Sequence, residues 1–219
     1  MMQGTSKRTA IQWAEGLLTL FVGLVIAHLG VTLFLIAELG SDTFTIFIQG
    51  LAKTCGLSIG TCHVIILILL MVVMAIFTKG YVKPGTVICA FCGGWIIDFF
   101  LFLFGEDALA SATVGVRFAV MFLGCVILSF GMSIVIQSNS GTGPNDLVAI
   151  ILTDTLNKRY KIQFKWVRIA CDLIFTATGL FMGGIFGVGT LTAALVTGPL
   201  VQRFLPVSKR IIQKCFPDL

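Results

Sequence analysis

Gly141-Thr142-Gly143-Pro144-Asn145-Asp146 interrupts the second half of this chain, and a shorter version, Gly40-Ser41-Asp42, interrupts the first half in the same place. Each follows an apolar run long enough to cross a bilayer. Each is followed by a short apolar segment, a second long apolar run, and a Gly-Thr pair (Gly85-Thr86 and Gly189-Thr190) that opens a third. Asp42 and Gly85 are 43 residues apart, and so are Asp146 and Gly189. Gly23 and Gly30 recur as Gly124 and Gly131 at an offset of 101, and Gly94 recurs as Gly198 at 104, so the Gly141–Asp146 loop holds three extra residues. A fixed offset kept over several elements marks an internal duplication.

The runs decide the class. Of the 219 residues, 57% are hydrophobic and 11% charged, and the mean hydropathy is +1.03. Soluble domains carry about a quarter charged residues, so the chain reads as an all-α polytopic membrane protein. About 20 apolar residues span the hydrocarbon core. Six runs meet that length, near Leu17–Ala37, Ile59–Thr78, Gly85–Phe104, Phe118–Ile136, Ile169–Phe186 and Val188–Leu205. The segments 42–56 and 146–157 are short for a crossing at 1.5 Å per residue, and read as an extra helix after the first span of each half.

Charge sets the orientation. With six spans and a cytoplasmic N-terminus, Lys7, Arg8, Lys79, Lys83, Lys158, Arg159, Lys161, Lys165, Arg168, Arg203, Lys209, Arg210 and Lys214 lie inside, against Lys53 and Arg117 outside. That 13-to-2 bias is the positive-inside pattern, which also accounts for the net charge of +5 without a nucleic-acid partner. Eight spans would give the same tally, so charge fixes both termini inside and length selects six. Three crossings per half make the repeats inverted. The expected organisation is a cytoplasmic tail over 1–16, repeats over 17–107 and 117–207, and a cytoplasmic tail over 208–219.

The loop GTGPND, the later GLFMGGIFGVGTLTAALVTGP and the first-half KPGTVICAFCGGWIID resemble the YczE/YyaS/YitT-type family of bacterial membrane proteins, over roughly residues 17–207. The first half lacks the Pro and the longer glycine loop found before Asp146. The resemblance implies a small polytopic inner-membrane protein, and a transporter-like role is the usual expectation for such proteins.

Polar residues within apolar runs are the candidate site. Asp42 and Asp146 each stand before an apolar helix, where Asp caps free backbone N–H groups or lines a cavity that takes a cation or amine. An Asp there argues against an anionic ligand. Asn145 adjoins Asp146. Asp98 lies within the third run, and a carboxylate at that depth is a functional candidate unless it serves a helix–helix hydrogen bond; its repeat-mate is Gln202. His28 lies near the middle of the first run, as a proton carrier or an interhelical donor. Arg168 and Asp172 are spaced to pair on one helix face. Gly198-Pro199 lies within the sixth run and is the candidate hinge, since Pro removes a backbone bond and bends a helix.

Cys89 and Cys92 form a C-x-x-C inside an apolar helix, with no second ligand pair, so the cysteines read as small hydrophobes. No protease, hydrolase or metal motif is present in the sequence, which points to a non-enzyme without cofactor or metal. The expected partners are the lipid bilayer, a small cationic or zwitterionic solute bound between the repeats, and a second copy in a homo-oligomer. The functional expectation is a small-solute permease of the bacterial inner membrane. The alternative is a non-transporting scaffold or partner-binding protein.

Overall fold

The computed structural model describes residues 9–77, 82–105, 107–157, 162 and 164–217. The charges at Lys7, Arg8, Lys79, Lys158, Arg159 and Lys161 lie outside the described residues, as do the side chains of Asp146, Lys165 and Arg168.

Eight helices form the described chain: α1 (Ala10–Ala37), α2 (Thr43–Cys55), α3 (Ile59–Phe77), α4 (Pro84–Phe104), α5 (Val114–Ser138), α6 (Pro144–Asn157), α7 (Phe164–Phe181) and α8 (Val188–Cys215). There is no strand among the described residues. Five helices are long and apolar enough to cross a membrane: α1, α3, α4, α5 and α8. Large apolar side chains cover the outside, with Phe102 90% and Phe181 93% exposed, as a lipid-facing surface requires.

Three boundaries differ from the sequence expectation. The first span begins at Ala10, because Thr9 caps it reciprocally: Thr9 Oγ1 accepts from Gln12 N (3.3 Å) and Gln12 Oε1 accepts from Thr9 N (3.0 Å). The fifth run does not reach Phe186 as helix. Gly183 takes the left-handed conformation (φ 90°), Gly184 N donates to Gly179 O (2.8 Å) and Gly183 N to Leu180 O (3.0 Å), which closes the helix at Phe181. The apolar part of α7 is therefore the shorter stretch Ile169–Phe181. α8 runs past the expected end of the sixth run at Leu205, to Cys215, with Ser208 and Ile212 buried.

The two halves break alike. α1 ends on Glu38 (φ 52°) and α5 on Asn139 (φ 50°), the two non-glycine residues with positive φ among the described residues, 101 apart. Gly40 (φ 104°) and Gly141 (φ 147°) follow at the same offset. The short segments expected after each first span are α2 and α6. At 13 and 14 residues they reach only about 20 Å.

The centre of the molecule is α1 packed on α5. A Cβ on Gly23 would come within 2.9 Å of Val135 N and 3.0 Å of Gly131 O; one on Gly124 would come within 2.9 Å of Gly30 O. Gly23 thus faces Gly131 while Gly30 faces Gly124, so the helices run antiparallel and each glycine pair repeats the other with the partners exchanged. Small residues let the backbones approach where lipid offers no hydrophobic drive between helices.

α4 packs on α1, and α8 on α5. The outer helices are less alike. α3 packs closely on α4, where Gly60 and Gly94 bring their backbones into contact. The positions 104 further on are Phe164 and Gly198. A Cβ on Gly198 would meet nothing within 4 Å, and α7 makes no comparable packing on α8 among the described residues. α2 instead lies parallel to α7, with Gly50 against Gly179 and Thr54 against Met182.

Candidate functional site between the halves

The interrupting loops meet the opposite half. Gly85 N donates to Ser140 O (3.0 Å), and Gly189 N to Leu39 O (2.7 Å). A Cβ on Gly141 would lie 2.6 Å from Thr86 N, and one on Gly40 would lie 2.5 Å from Thr190 Oγ1. Each loop is therefore held by the Gly-Thr start of the other half's last helix. Both breaks also receive a cation. Arg117 Nε donates to Ala37 O (2.8 Å) and its Nη2 pairs with Glu38 Oε2 (2.7 Å), while Lys83 Nζ donates to Asn139 O and Oδ1 (3.2 Å each). Cations at helix C-termini meet the free carbonyls there.

Two of the carboxylates named from sequence, Asp42 and Asp98, serve helix N-termini. Asp42 caps α2, its Oδ1 accepting from Thr45 N (3.1 Å) and its Oδ2 from Ser41 Oγ (3.4 Å). Asp98 caps a neighbouring helix: Oδ1 accepts from Gly60 N (2.8 Å) and Oδ2 from Ser58 Oγ (2.6 Å), at the start of α3. It borders a small cavity of about 90 Å³ with Gly60, Thr61, Val64, Ile65 and Trp95. Asn145 is the second residue of α6 and half-buried; the Asp146 side chain beside it lies outside the described residues. Gly198 and Pro199 are exposed on α8, which runs unbroken through both. The expected pairing of Arg168 with Asp172 falls on a side chain outside the described residues. Asp172 Oδ1 accepts from Thr43 Oγ1 of α2 (2.9 Å), a bond between the halves.

His28 has a partner that the sequence did not single out. Its Nδ1–H donates to Leu24 O (2.8 Å), and its ring stacks on His63 of α3 with centroids 5.5 Å apart and planes at 27°. Gly93 of α4 makes the room, since a Cβ there would lie 2.8 Å from His28 Nε2 and 3.6 Å from His63 Cε1. Phe44 of α2 packs on His63 (5.6 Å, 65°) and on Phe175 of α7 (5.4 Å, 80°). The structure thus gathers His28 with His63, Phe44, Phe175 and the Thr43–Asp172 bond. The available signal was composition: the chain has two histidines, and each falls in an apolar run.

None of the seven cysteines is in a disulfide, and Cys55 and Cys215 are exposed. No group of three or more His, Cys, Asp or Glu that could hold a metal occurs among the described residues.

Comparison with known proteins adds the family. A family model described as a family of unknown function, DUF6198, matches residues 14–206. The chain is 30% identical over 193 residues to the uncharacterised membrane protein YczE of Bacillus subtilis (strain 168), covering 88% of this chain and 86% of that one. It is 29% identical over 189 residues to the uncharacterised protein YyaS of the same organism, covering 86% and 92%. An uncharacterised protein of Haemophilus influenzae is 24% identical over 192 residues, covering 88% and 84%. No solved structure matches the chain. With residues 14–206 matched and five helices long and apolar enough to cross a membrane, this chain belongs to the DUF6198 family.

Proposed function

We propose that this chain is a small-solute permease of the bacterial inner membrane, built as two inverted three-span repeats with both termini cytoplasmic. Antiparallel packing of α1 on α5 supports the topology, because it calls for an odd number of crossings per half. α1, α3 and α4 supply three, and α5, α7 and α8 three more, with the apolar stretch Ile169–Phe181 of α7 inside the hydrocarbon and its first turn at the interface. Inverted repeats with a site at their interface recur in secondary transporters.

The observation that carries the permease reading is the polar and aromatic cluster where the halves meet. Within lipid, ionisable groups are costly and mark pathways. His28, His63 and Asp172 lie on three different helices and are linked through α2, which bonds Asp172 by Thr43 and packs on His63 by Phe44. Asp42 and Asp98 serve helix N-termini, while Asp172, bonded to Thr43 of α2, is an acid at the contact between the halves. A carboxylate there suits a small cationic or zwitterionic solute. The reading carries no catalytic step, cofactor or metal.

Uptake into proteoliposomes of radiolabelled amines, small cations and amino acids is the test. Saturable uptake that Asp172→Asn abolishes, in protein of unchanged melting temperature, is the expected result. The absence of uptake and of thermal stabilisation by every compound would overturn the reading.

A non-transporting scaffold is the second reading, favoured by the capping roles of Asp42 and Asp98. It predicts that variants at the cluster alter complex formation with a membrane partner and alter no flux.

A further inference from the structure

We infer that the C-terminal end of α8 is a docking surface for an anionic phospholipid. The inference goes beyond the permease reading and needs only that α8 crosses the bilayer.

Helix length and charge place the surface. The apolar run in α8 ends near Leu205, yet the helix continues to Cys215, which carries it about 15 Å past the run. Its last turns therefore lie at the depth of the lipid headgroups. They carry Arg203, Lys209, Arg210 and Lys214, and α8 holds no acidic residue. All four cations are exposed. None of them makes a hydrogen bond or ion pair to any described residue. Lys83 and Arg117, the cations at the two helix breaks, are both bonded. The α8 cations are thus uncompensated by protein at a level where phosphate is abundant.

Three of them form a stripe. Arg203, Arg210 and Lys214 are seven and four residues apart, spacings that return to one helix face. Ser208 and Ile212 are buried on the opposite face, so the stripe points away from the rest of the chain. Arg203 and Arg210 stand about 10 Å apart along the axis, and their side chains can reach one phosphate placed between them. Each guanidinium offers a planar fork that matches two phosphate oxygens. Arg203, in the last turn of the apolar run, reaches headgroup depth by laying its stem along the helix. Val207 and Ile211 are exposed beside the stripe and offer an apolar strip to the start of an acyl chain.

Charge selects the lipid. A zwitterionic headgroup brings an ammonium with its phosphate, and α8 has no carboxylate to receive it. An anionic headgroup such as that of phosphatidylglycerol brings the phosphate without the ammonium. The bound lipid also has something to brace. α8 is the least buried of the five membrane-length helices, and Pro206 lacks the N–H that would bond Gln202 O. A phosphate held by Arg203 and Arg210 straddles that gap from outside, next to the Leu205 carbonyl that accepts from Gln137 Nε2 (3.3 Å).

Native mass spectrometry of the full chain in detergent, titrated with phosphatidylglycerol or phosphatidylcholine, tests the surface. The unmodified chain should retain phosphatidylglycerol at least about tenfold more tightly. Cations near a membrane surface contribute about fivefold each in affinity for anionic lipid, so Arg203→Gln with Arg210→Gln should weaken phosphatidylglycerol about twenty-five-fold and leave phosphatidylcholine unchanged. Lys53→Gln with Lys209→Gln removes the same net charge away from the stripe and should cost less than about fivefold. Hydrogen exchange on the unmodified chain gives a second reading that needs no variant: phosphatidylglycerol should slow the amides of 203–215 relative to phosphatidylcholine. Equal retention of the two lipids, equal losses in the two double variants, or unchanged exchange would each overturn the surface. Displacement of the lipid by an equal concentration of inorganic phosphate would assign the stripe to a free anion and overturn the lipid reading. Uptake does not enter these readouts, so their failure leaves the permease reading untouched.

Discussion

The backbone N–H of Gly189 donates to the carbonyl of Leu39 at 2.7 Å, and Gly85 donates to Ser140 at 3.0 Å in the matching place. Each bond ties a helix break in one half to a helix start in the other. A loop that served only its own half would have no reason to carry a glycine opposite a distant Thr. Gly40 and Gly141 carry one because the start of the opposing last helix lies against them, at Thr190 and Thr86.

The glycine seam between α1 and α5 yields a paired comparison. At Gly131 a Cβ would run into the backbone of Ala27, which cannot rotate aside, whereas at Gly198 it would meet nothing. Gly131→Ala is expected to destabilise the protein by about 1–3 kcal/mol, and Gly198→Ala to be neutral or mildly stabilising, since Ala favours helix. Reversible unfolding in mixed micelles reads the difference. Equal effects would contradict the packing described.

Asp98 separates two roles by its substitutions. Asp98→Ala leaves Gly60 N and Ser58 Oγ without their acceptor, and should cost about 1–3 kcal/mol. Asp98→Asn keeps an acceptor for Gly60 N and should recover much of that loss. If Asp98 bound the solute instead, the Asn variant would keep its melting temperature and lose uptake.

Arg117 holds two acceptors of different value. Its ion pair with Glu38 is partly open to solvent, at 19% and 44% side-chain exposure, and such pairs contribute under about 1 kcal/mol. Its bond to Ala37 O closes the end of α1. Arg117→Met should therefore be more damaging than Glu38→Gln, and a double-mutant cycle should return a small coupling. A large coupling energy would place the stabilising effect in the ion pair.

Native cysteines report the topology. Cys55 ends α2 and Cys215 ends α8, and both are exposed. With six spans, a membrane-impermeant maleimide added to intact cells should label Cys55 and spare Cys215. With eight, α2 would cross and Cys55 would be protected from outside. Cys62, Cys89, Cys125 and Cys171 are buried and should label slowly in either case.

By itself, the sequence determined what depends on neighbours along the chain. The apolar runs, the breaks at Gly40 and Gly141, the short helices that follow and the N-cap at Asp42 all rest on local hydropathy, backbone freedom and hydrogen bonds within one turn. The repeated offsets were equally legible, although the helix end at Phe181 was missed because the Schellman closure at Gly183-Gly184 looks like continuing apolar sequence. Tertiary structure alone decided which residues meet. His63 lies 35 residues from His28, Thr43 lies 129 from Asp172, and Asp98 lies 38 from the Gly60 N–H it accepts. Hydropathy records that a residue is buried; its partner is fixed by the angle at which one helix crosses another, and in lipid that angle depends on the small residues that let backbones touch.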